Sequence, residues 1–313
     1  MSRGPASEPP PSHFRFDELA PGVTFAEASR TGTALANGGI VDLGASVLVF
    51  DTALTLRAAG ELRRWATVLA KGRTLLAANS HWHLDHVLGN QLFSARPIYA
   101  TRRTAEILRE KHAELSKGLT REGLEADARE MQTPSSAVPA APSPAERAEY
   151  ALALRVNRAL WEEAVDLRLT PPSRPFEDTL ELPGDRGARL LSFGGGHTES
   201  DALLWLPRDR ILFAGDLVVT GSHPNLLSGD PERWLGILSE IERLRPERIG
   251  PGHGPTATLE AVEEVRDYLT TLQRLAEEPG TPEVPSRFRD WEGPSQFSQN
   301  LAFLRGRTSP APR

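Results

Sequence analysis

The stretch Asn79–Asn90 reads Asn-Ser-His-Trp-His-Leu-Asp-His-Val-Leu-Gly-Asn. It places four chemically active side chains within six positions: His81, His83, Asp85 and His86. Imidazole nitrogens and carboxylate oxygens are the ligands that zinc and similar metals prefer. The chain has 8 histidines in 313 residues, so three within six positions are not expected by chance. A polar surface loop is the alternative, but the density favours a metal site.

The composition excludes several classes of protein. A formal net charge of -6 argues against a nucleic-acid-binding surface. The chain has no cysteine, which excludes thiolate ligands and disulfides and fits a reducing, cytoplasmic location. No apolar run approaches the roughly 18 residues of a membrane span, and residues 1–12 do not resemble a signal peptide. We expect a cytoplasmic enzyme with a small-molecule substrate and no nucleic-acid or membrane partner; a homodimer is an open alternative.

Two apolar runs place the histidine stretch at the end of a buried strand. Val47–Phe50 and Thr74–Ala78 lack polar alternation, which is typical of strands buried on both faces. An amphipathic helix is predicted between them, over 55–71. Strand, helix and strand in this order imply a parallel βαβ unit. Ligands of such sheets gather beyond the carboxyl ends of the strands, which is where the histidines fall.

Residues 101–172 differ in character from the rest of the chain. They are charged and helical on both sides of a Pro/Ala/Ser loop at 133–142, and Ser143-Pro144-Ala145-Glu146 carries a capping box that starts the second helix. We interpret them as an inserted helical hairpin that leans over the site, with an ordinary solvated pair of helices as the alternative. The chain then divides into a disordered N-terminus over 1–15, a main domain over 16–278 that includes the insertion, and a partly ordered C-terminal segment over 279–313.

Strand signals return after the insertion, and three Gly-rich loops at strand ends carry further candidate ligands. Strands are predicted over 179–182, 189–193, 202–206, 211–214 and 248–250, and helices from 230 and over 256–277. The candidate ligands are His197, Asp216 and His253. Glycine lets a backbone approach a ligand closely, so such loops can direct their side chains into a shared site. Five histidines and two aspartates are then enough for two metal ions with three or four protein ligands each.

These motifs resemble those of the metallo-β-lactamase-fold superfamily in order and spacing, over about residues 22–275. The matching segments are His-Trp-His-Leu-Asp-His at 81–86, Gly196-His197, Gly215-Asp216 and Pro251-Gly252-His253-Gly254. The resemblance implies an α/β fold, a four-layer αββα sandwich with the metal site at one edge. It also implies a ligand set: His81, His83 and His197 for one ion, Asp85, His86 and His253 for the other, and Asp216 bridging both. Asp51 matches a carboxylate that supports the ligand loops, with the capping of a turn as its alternative.

The sequence departs from the zinc β-lactamases at the bridging position. Aspartate at 216 is more similar to glyoxalase II and the lactonases than to β-lactamases with Cys or Ser there. Trp82 and Gly89-Asn90 do occur in lactamase-like members, so weak β-lactamase activity stays open. Leu84, Val87 and Leu88 replace smaller residues and either line an apolar mouth or pack against the following helix.

We therefore predict a binuclear zinc-dependent hydrolase, with iron or manganese as alternative metals. A metal-bridging hydroxide, oriented by Asp85, would cleave an ester, thioester, lactone or amide-type bond in a small molecule. His223, in Gly221-Ser222-His223-Pro224, is the one candidate for an acid or substrate contact, and an ordinary surface histidine is its alternative.

Two further functions stay open. Some proteins with this fold bind a single iron through two histidines and an aspartate and act as sulfur dioxygenase-type oxidoreductases. The other alternative is a metal-binding protein that has lost catalysis, against which the presence of Asp85 and Asp216 argues. Metal content, oxygen consumption and a hydrolysis screen distinguish the three.

Overall fold

The computed structural model describes residues 13–132 and 143–308, and the strands within these ranges form two sheets. The first sheet contains, in spatial as well as chain order, β1 Phe14–Ala20, β2 Val23–Ala28, β3 Gly38–Asp42, β4 Ser46–Phe50, β5 Thr74–Ala78, β6 Ile98–Thr101 and β7 Arg174–Phe176. The second contains β8 Thr179–Glu181, β9 Arg189–Leu191, β10 Leu203–Leu206, β11 Ile211–Val219 and β12 Arg248–His253, also adjacent in chain order. Each half of the chain therefore builds one sheet.

The helices of the described residues lie between and after these strands. They are α1 Leu56–Ala70, α2 Leu84–Val87, α3 Arg102–Glu110, α4 His112–Gly118, α5 Arg121–Gln132, α6 Pro144–Glu163, α7 Pro231–Leu244, α8 Leu259–Glu277 and α9 Pro294–Thr308, with 3-10 turns at Leu88–Leu92 and Ser286–Phe288. None of them is long and apolar enough to span a bilayer.

The sheets pack face to face, and helices cover their outer faces. Phe50 and Phe213 meet between the sheets, with ring centroids 6.2 Å apart. Helix α1 buries Leu62 against the outer face of the first sheet. Helices α7 and α8 cover the second sheet, where Trp234 is fully buried. Burying an apolar side chain of this kind stabilises the fold by about 1.5–3 kcal/mol. The predicted αββα sandwich is confirmed.

The predicted βαβ unit positions the histidine stretch. Strands β4 and β5 pair in parallel, with Val47 opposite Leu75. Helix α1 between them is capped by Thr55, whose hydroxyl accepts a hydrogen bond from the backbone N–H of Ala58. Strand β6 pairs in parallel with the other edge of β5. Asn79, the first residue after β5, therefore stands at the carboxyl edge of the parallel part of the sheet.

The insertion contains four helices rather than a hairpin of two. Helices α3, α4 and α5 replace the single helix expected up to residue 132, with breaks at Lys111 and after Gly118. The Thr120 hydroxyl accepts a hydrogen bond from the N–H of Gly123, which starts α5 anew. The capping box is present at Ser143, and α6 begins directly after it. The loop expected at 133–142 lies outside the described residues.

The insertion is packed onto the main domain. Val87 and Leu88 of the histidine segment are fully buried in one cluster with Leu108, Leu124 and Leu160 of the insertion. These two residues therefore pack against helices and do not line an apolar mouth. Both sides of the contact are apolar, so removing it from water stabilises the insertion in this position.

A carboxylate of the insertion also caps helix α1. Glu163, at the end of α6, is buried and accepts hydrogen bonds from the backbone N–H groups of Leu56 (2.6 Å) and Arg57 (3.1 Å). The first N–H groups of a helix have no partner within the helix, and a negative charge there is favourable. The insertion thus caps helix α1, which precedes the histidine stretch in the chain.

Order extends further at the N-terminus than the sequence indicated. Strand β1 begins at Phe14, inside the segment 1–15 that we predicted to be disordered, because Phe14 is buried and pairs with Ala28 of β2. Residues 1–12 and 309–313 lie outside the described residues. Within 279–308, Phe297 and Asn300 of α9 are buried against the main domain.

Candidate metal centre

The structure brings the predicted ligand residues together at one edge of the sandwich. Among the described residues, His81, His83, His197 and Asp216 form one group, and Asp85, His86 and His253 form a second. Within each group the candidate ligand atoms lie within 4.8 Å of one another. The residues come from the loop after β5, from α2, from the loop between β9 and β10, from β11 and from the end of β12. More than 100 positions separate the first from the last, so only the packing of the two sheets brings them together.

In the first group, three ring nitrogens converge. His83 Nδ1 lies 3.0 Å from His81 Nε2 and 3.0 Å from His197 Nε2. Burial, assisted by the neighbouring imidazoles and opposed by Asp216, lowers the pKa of His81 well below its usual value and the pKa of His197 to about 3. The rings are therefore neutral at pH 7, and neutral imidazole is the form that binds metal.

Asp216 contacts both groups. Its Oδ2 lies 3.3 Å from His197 Nε2 of the first group and 3.3 Å from His253 Nε2 of the second, and its Oδ1 lies 3.2 Å from His86 Nε2. Gly252 makes this approach possible, because a Cβ atom at that position would lie 1.9 Å from Asp216 Oδ1. The glycine of the Pro-Gly-His-Gly segment is thus required by the close passage of a carboxylate.

The second group has a different charge balance. Asp85 Oδ2 lies 3.4 Å from His253 Nε2 and 3.6 Å from His86 Nε2. Burial acts to lower the pKa of His86 and of His253, but the negative charges of Asp216 and Asp85 outweigh it, so both pKa values are raised. The carboxylates make this side of the centre attractive to any cation, a proton or a metal ion alike.

Residues behind the ligands fix the orientation of their rings. Asp51 Oδ2 lies 2.9 Å from His86 Nδ1, and the two oxygens of Asp51 accept hydrogen bonds from the backbone N–H and the hydroxyl of Ser80. The Ser80 hydroxyl in turn lies 2.9 Å from His81 Nδ1. Asp51 adopts a positive φ of 61°, which aspartate tolerates better than most residues. Its side chain contacts Ser80 and the candidate ligand His86, and among the described residues it caps no turn.

Two asparagines close the histidine stretch at its ends. Asn79 and Asn90 exchange side-chain hydrogen bonds of 3.0 and 2.9 Å, and both are fully buried. Asn90 also donates to the carbonyl oxygen of Thr170 in the insertion. Buried amides with satisfied hydrogen bonds specify one conformation. The segment that carries four candidate ligands is therefore held as a closed loop.

The His197 loop depends on Asp201, a residue that the sequence analysis missed. This buried carboxylate accepts hydrogen bonds from the backbone N–H groups of Gly196 (2.8 Å), His197 (3.0 Å) and Thr198 (3.1 Å), and from the Thr198 hydroxyl (2.8 Å). Burial raises the pKa of Asp201 to about 7, against the opposing effect of these donors. Its position four residues after the loop histidine was the available signal.

Trp82 connects the histidine stretch to the His197 loop and to the insertion. Trp82 Nε1 donates to a carboxylate oxygen of Glu199 at 2.8 Å. The Lys111 ammonium lies 4.3 Å from the centroid of the Trp82 ring, a cation–π contact. The Trp82 ring also meets His83 edge to face, with centroids 4.6 Å apart. The insertion therefore contacts the candidate metal centre through Trp82.

His223 lies outside the candidate metal centre, so our assignment of it as an acid or substrate contact was wrong. It is buried rather than on the surface, with Nδ1 3.0 Å from the Tyr268 hydroxyl and its ring against Trp291 and Phe297. Burial lowers its pKa to about 4. None of its contacts among the described residues is with the candidate ligands. An apolar, aromatic environment, invisible in Gly-Ser-His-Pro, makes His223 a core residue.

The donor set fits metal ions. His86 Nε2 and Asp216 Oδ1 face each other at 3.2 Å in the centre, and both are buried without a hydrogen bond of standard geometry to a described residue. Such atoms cost about 1–3 kcal/mol each when nothing compensates them. Imidazole nitrogens together with carboxylate oxygens, and no sulfur, are typical of zinc centres.

An αββα sandwich with a buried His/Asp centre at one edge defines a class of metal-binding proteins. The family model described as the metallo-beta-lactamase superfamily matches residues 32–253, more than two thirds of the chain. The chain belongs to this superfamily, as predicted, and its homologues there are metal-dependent hydrolases.

Individual relatives cover the chain less completely. A segment of 93 residues is 32% identical to "Beta-lactamase-like protein 2 homolog" of Caenorhabditis elegans, covering 30% of this chain and 30% of that protein. A segment of 120 residues is 28% identical to "Metallo-beta-lactamase type 2" of Bacteroides fragilis, covering 36% of this chain and 48% of that protein. The chain thus matches less than half the length of these curated relatives. The crystal structure of DIM-1 metallo-beta-lactamase superposes with a TM-score of 0.58 at 18% identity, over 83% of this chain and 98% of that one, and shows the shared fold.

Proposed function

We propose that this protein is a hydrolase that holds two zinc ions and cleaves an ester, thioester, lactone or amide-type bond in a small molecule. The observation that carries the proposal is Asp216, whose carboxylate lies within 3.3 Å of histidines from both groups. A carboxylate has two acceptor oxygens, so in this position it could serve two ions at once.

The ligand assignment follows the two groups. His81, His83 and His197 would hold one ion, Asp85, His86 and His253 would hold the other, and Asp216 would bind to both. Iron and manganese accept the same donors and are the alternative metals. Ions at this position supply a water of lowered pKa and polarise the substrate oxygen that becomes negative.

The chain's own groups orient the reactants. The side chain of Asp85 is 15% exposed, against 9% for Asp216 and 3% for Asp51, so it is the carboxylate of the centre with the most access to an incoming molecule. We assign to it the hydrogen bond that orients the attacking water. The buried histidines behind it exclude bulk solvent, which strengthens electrostatic interactions at the centre.

The substrate class is narrowed by the bridging residue. Aspartate at 216 favours a glyoxalase II- or lactonase-type hydrolase. β-Lactamase-like activity is the second candidate, because the relative from Bacteroides fragilis is a metallo-beta-lactamase at 28% identity over 120 residues. The negative charge of the chain favours a small-molecule substrate over nucleic acid, and the lack of cysteine favours a cytoplasmic location.

The test is Asp216→Ala, with metal content and hydrolysis measured together. We expect zinc to fall from two ions per chain to one or fewer and turnover to fall about 100-fold or more, because one oxygen ligand is lost from each ion. The substrates are an ester, a thioester, a lactone, a β-lactam and a phosphodiester. The exposed Asp290→Ala is the matched control, and circular dichroism checks the fold.

Full activity and two zinc ions in D216A would show that the bridging assignment is wrong. A wild-type chain that binds one iron and consumes oxygen would replace the hydrolase by an oxidoreductase. A zinc-loaded wild type that is inert on every substrate of the panel would favour a binding protein without catalysis.

A further inference from the structure

His83 faces the first group with one ring nitrogen and a serine with the other. Its Nδ1 is the atom that converges with His81 and His197, and its Nε2 lies 3.3 Å from the hydroxyl oxygen of Ser228. An imidazole that offers the lone pair of Nδ1 carries its proton on Nε2. The Nε2–H group therefore donates to Ser228, and this bond selects both the tautomer and the ring orientation that direct Nδ1 at the centre.

Ser228 lies in the segment 220–230 that joins β11 to α7, and this segment is seated on the His197 loop. The carbonyl oxygen of Gly196 accepts a hydrogen bond from Asp230 at 2.8 Å. Gly229 passes so close that a Cβ atom there would lie 2.3 Å from the same oxygen. The position of Ser228 relative to His83 is thus set by backbone contacts on its C-terminal side.

The C-terminal helix α9 holds the same segment on both sides of Ser228. Asn300 is fully buried; its Oδ1 accepts from the N–H of Leu226 (3.1 Å), and its Nδ2 donates to the carbonyl oxygen of Pro224 (2.8 Å). Arg307 donates to the carbonyl oxygen of Gly229 at 3.0 Å. Three backbone groups that flank Ser228 are therefore bound by one helix, which lies outside residues 32–253, the part of the chain that matches the family model.

We propose that Ser228 is a positioning residue for His83, and that helix α9 holds it in place through Asn300 and Arg307. The proposal rests on the proposed function only in that His83 binds a metal ion. It assigns a role in the centre to the C-terminal segment, which the ligand motifs do not reach. A loose serine would leave the His83 ring free to rotate, and the affinity for the first ion would fall.

The experiment measures metal binding without turnover. Metal-free full-length protein is titrated with Zn²⁺ against a chromophoric chelator, and the visible spectrum of the Co²⁺-loaded protein reports the geometry of the site. For Ser228→Ala we expect affinity at one of the two sites to fall about tenfold and the cobalt bands to shift, as is typical when a partner of a ligating histidine is removed. Ser228→Thr, which keeps the hydroxyl, restores both. Ser239→Ala, which removes a hydroxyl from α7 away from the centre, changes neither.

Two variants test the helix. Asn300→Ala should weaken zinc binding in the same direction as S228A, and the exposed Arg307→Gln should do so about threefold without loss of the fold. Ser295→Ala is the control on α9, because its hydroxyl contacts Glu149 of α6 instead of the 220–230 segment. Thermal unfolding of each metal-free variant separates altered binding from lost structure.

The outcomes distinguish the two proposals. Wild-type affinity and an unshifted cobalt spectrum in S228A overturn the role of Ser228 and leave the proposed function standing. Equal losses in S228A and S228T overturn it too, since the hydroxyl would then not be the cause. Wild-type binding in both N300A and R307Q overturns the role of α9. A wild-type protein that binds no zinc overturns both this inference and the proposed function.

Discussion

Asp201→Ala is the substitution whose consequence the structure defines most sharply. The carboxylate accepts from three consecutive backbone N–H groups, those of Gly196, His197 and Thr198, inside the protein. Alanine leaves all three without an acceptor. The Thr198 hydroxyl is less affected, because it also donates to the carbonyl oxygen of Ser200 at 3.1 Å.

The expected loss of stability is the sum of the costs of three buried N–H groups that have no acceptor. At about 1 kcal/mol or slightly more for each buried N–H, D201A should lower the free energy of unfolding by about 3–4 kcal/mol. Asparagine has one acceptor oxygen, which can serve Gly196 and His197 from the position of Oδ2, and its amide N–H can donate to the Thr198 hydroxyl. The N–H of Thr198 then keeps only its longer hydrogen bond, 3.2 Å to the position of Oδ2, so Asp201→Asn should cost about 1 kcal/mol or less. The raised pKa of Asp201, about 7, agrees with an environment that accepts a neutral side chain.

Urea denaturation of the metal-free protein measures both variants, and zinc titration shows whether the His197 loop still supports binding. D201A should bind zinc more weakly than D201N, because the loop that carries His197 loses its anchor. Asp267→Ala, which removes an exposed ion pair with Arg287, is the control and should change stability by less than about 0.5 kcal/mol. A loss below 1 kcal/mol in D201A, or equal losses in D201A and D201N, would refute the reasoning that the number of acceptors determines the effect.

Two further substitutions test buried polar residues outside the centre. Burial lowers the pKa of His223 to about 4, so the unfolded chain takes up a proton first as the pH falls. The contribution of neutral His223 to the free energy of unfolding is fully present above about pH 6.5. It falls by about 3 kcal/mol as the pH drops towards 4. In urea unfolding, the free energy of unfolding of His223→Asn should therefore be closer to that of the wild type at pH 4.5 than at pH 7.5. An equal difference at the two pH values would contradict this. Glu163→Ala should cost about 2 kcal/mol because two N–H groups of α1 lose their cap; the surface Glu162→Ala should cost little, and equal losses would contradict the capping role.

The residues that meet at the candidate centre were predictable because their chemistry is local. Three histidines and an aspartate within six residues need no tertiary information to be recognised, and glycine beside His197, Asp216 and His253 marks backbone that approaches other groups. The apolar runs before the histidine stretch predicted a buried parallel strand for a similarly local reason. The αββα class followed from the resemblance, and the packing of the sheets around Phe50 and Phe213 agrees with it.

His223 and Asp201 show where local patterns fail. His223 follows a Gly-Ser pair and resembles a loop histidine, but aromatic residues more than 40 positions away bury it. Asp201 lies in an ordinary polar stretch, and its importance comes from three N–H groups that the chain directs at one point. The environment of His223 has no signature in the neighbouring residues, because its burial depends on other elements; Asp201 had only its spacing from His197 as a signal, because residue types do not show that three N–H groups converge.

The sequence by itself determined which candidate ligand residues are present and the strand ends that carry them, since residue type and short-range spacing are properties of the chain. Only the tertiary structure decided which nitrogen of each histidine faces the centre, that Asp216 reaches both groups, and that Ser228 and helix α9 stand behind His83. These depend on distances of about 3 Å between residues far apart in the chain. Such distances are set when two sheets and their helices pack, because hydrogen bonds and metal ligation act only at contact range.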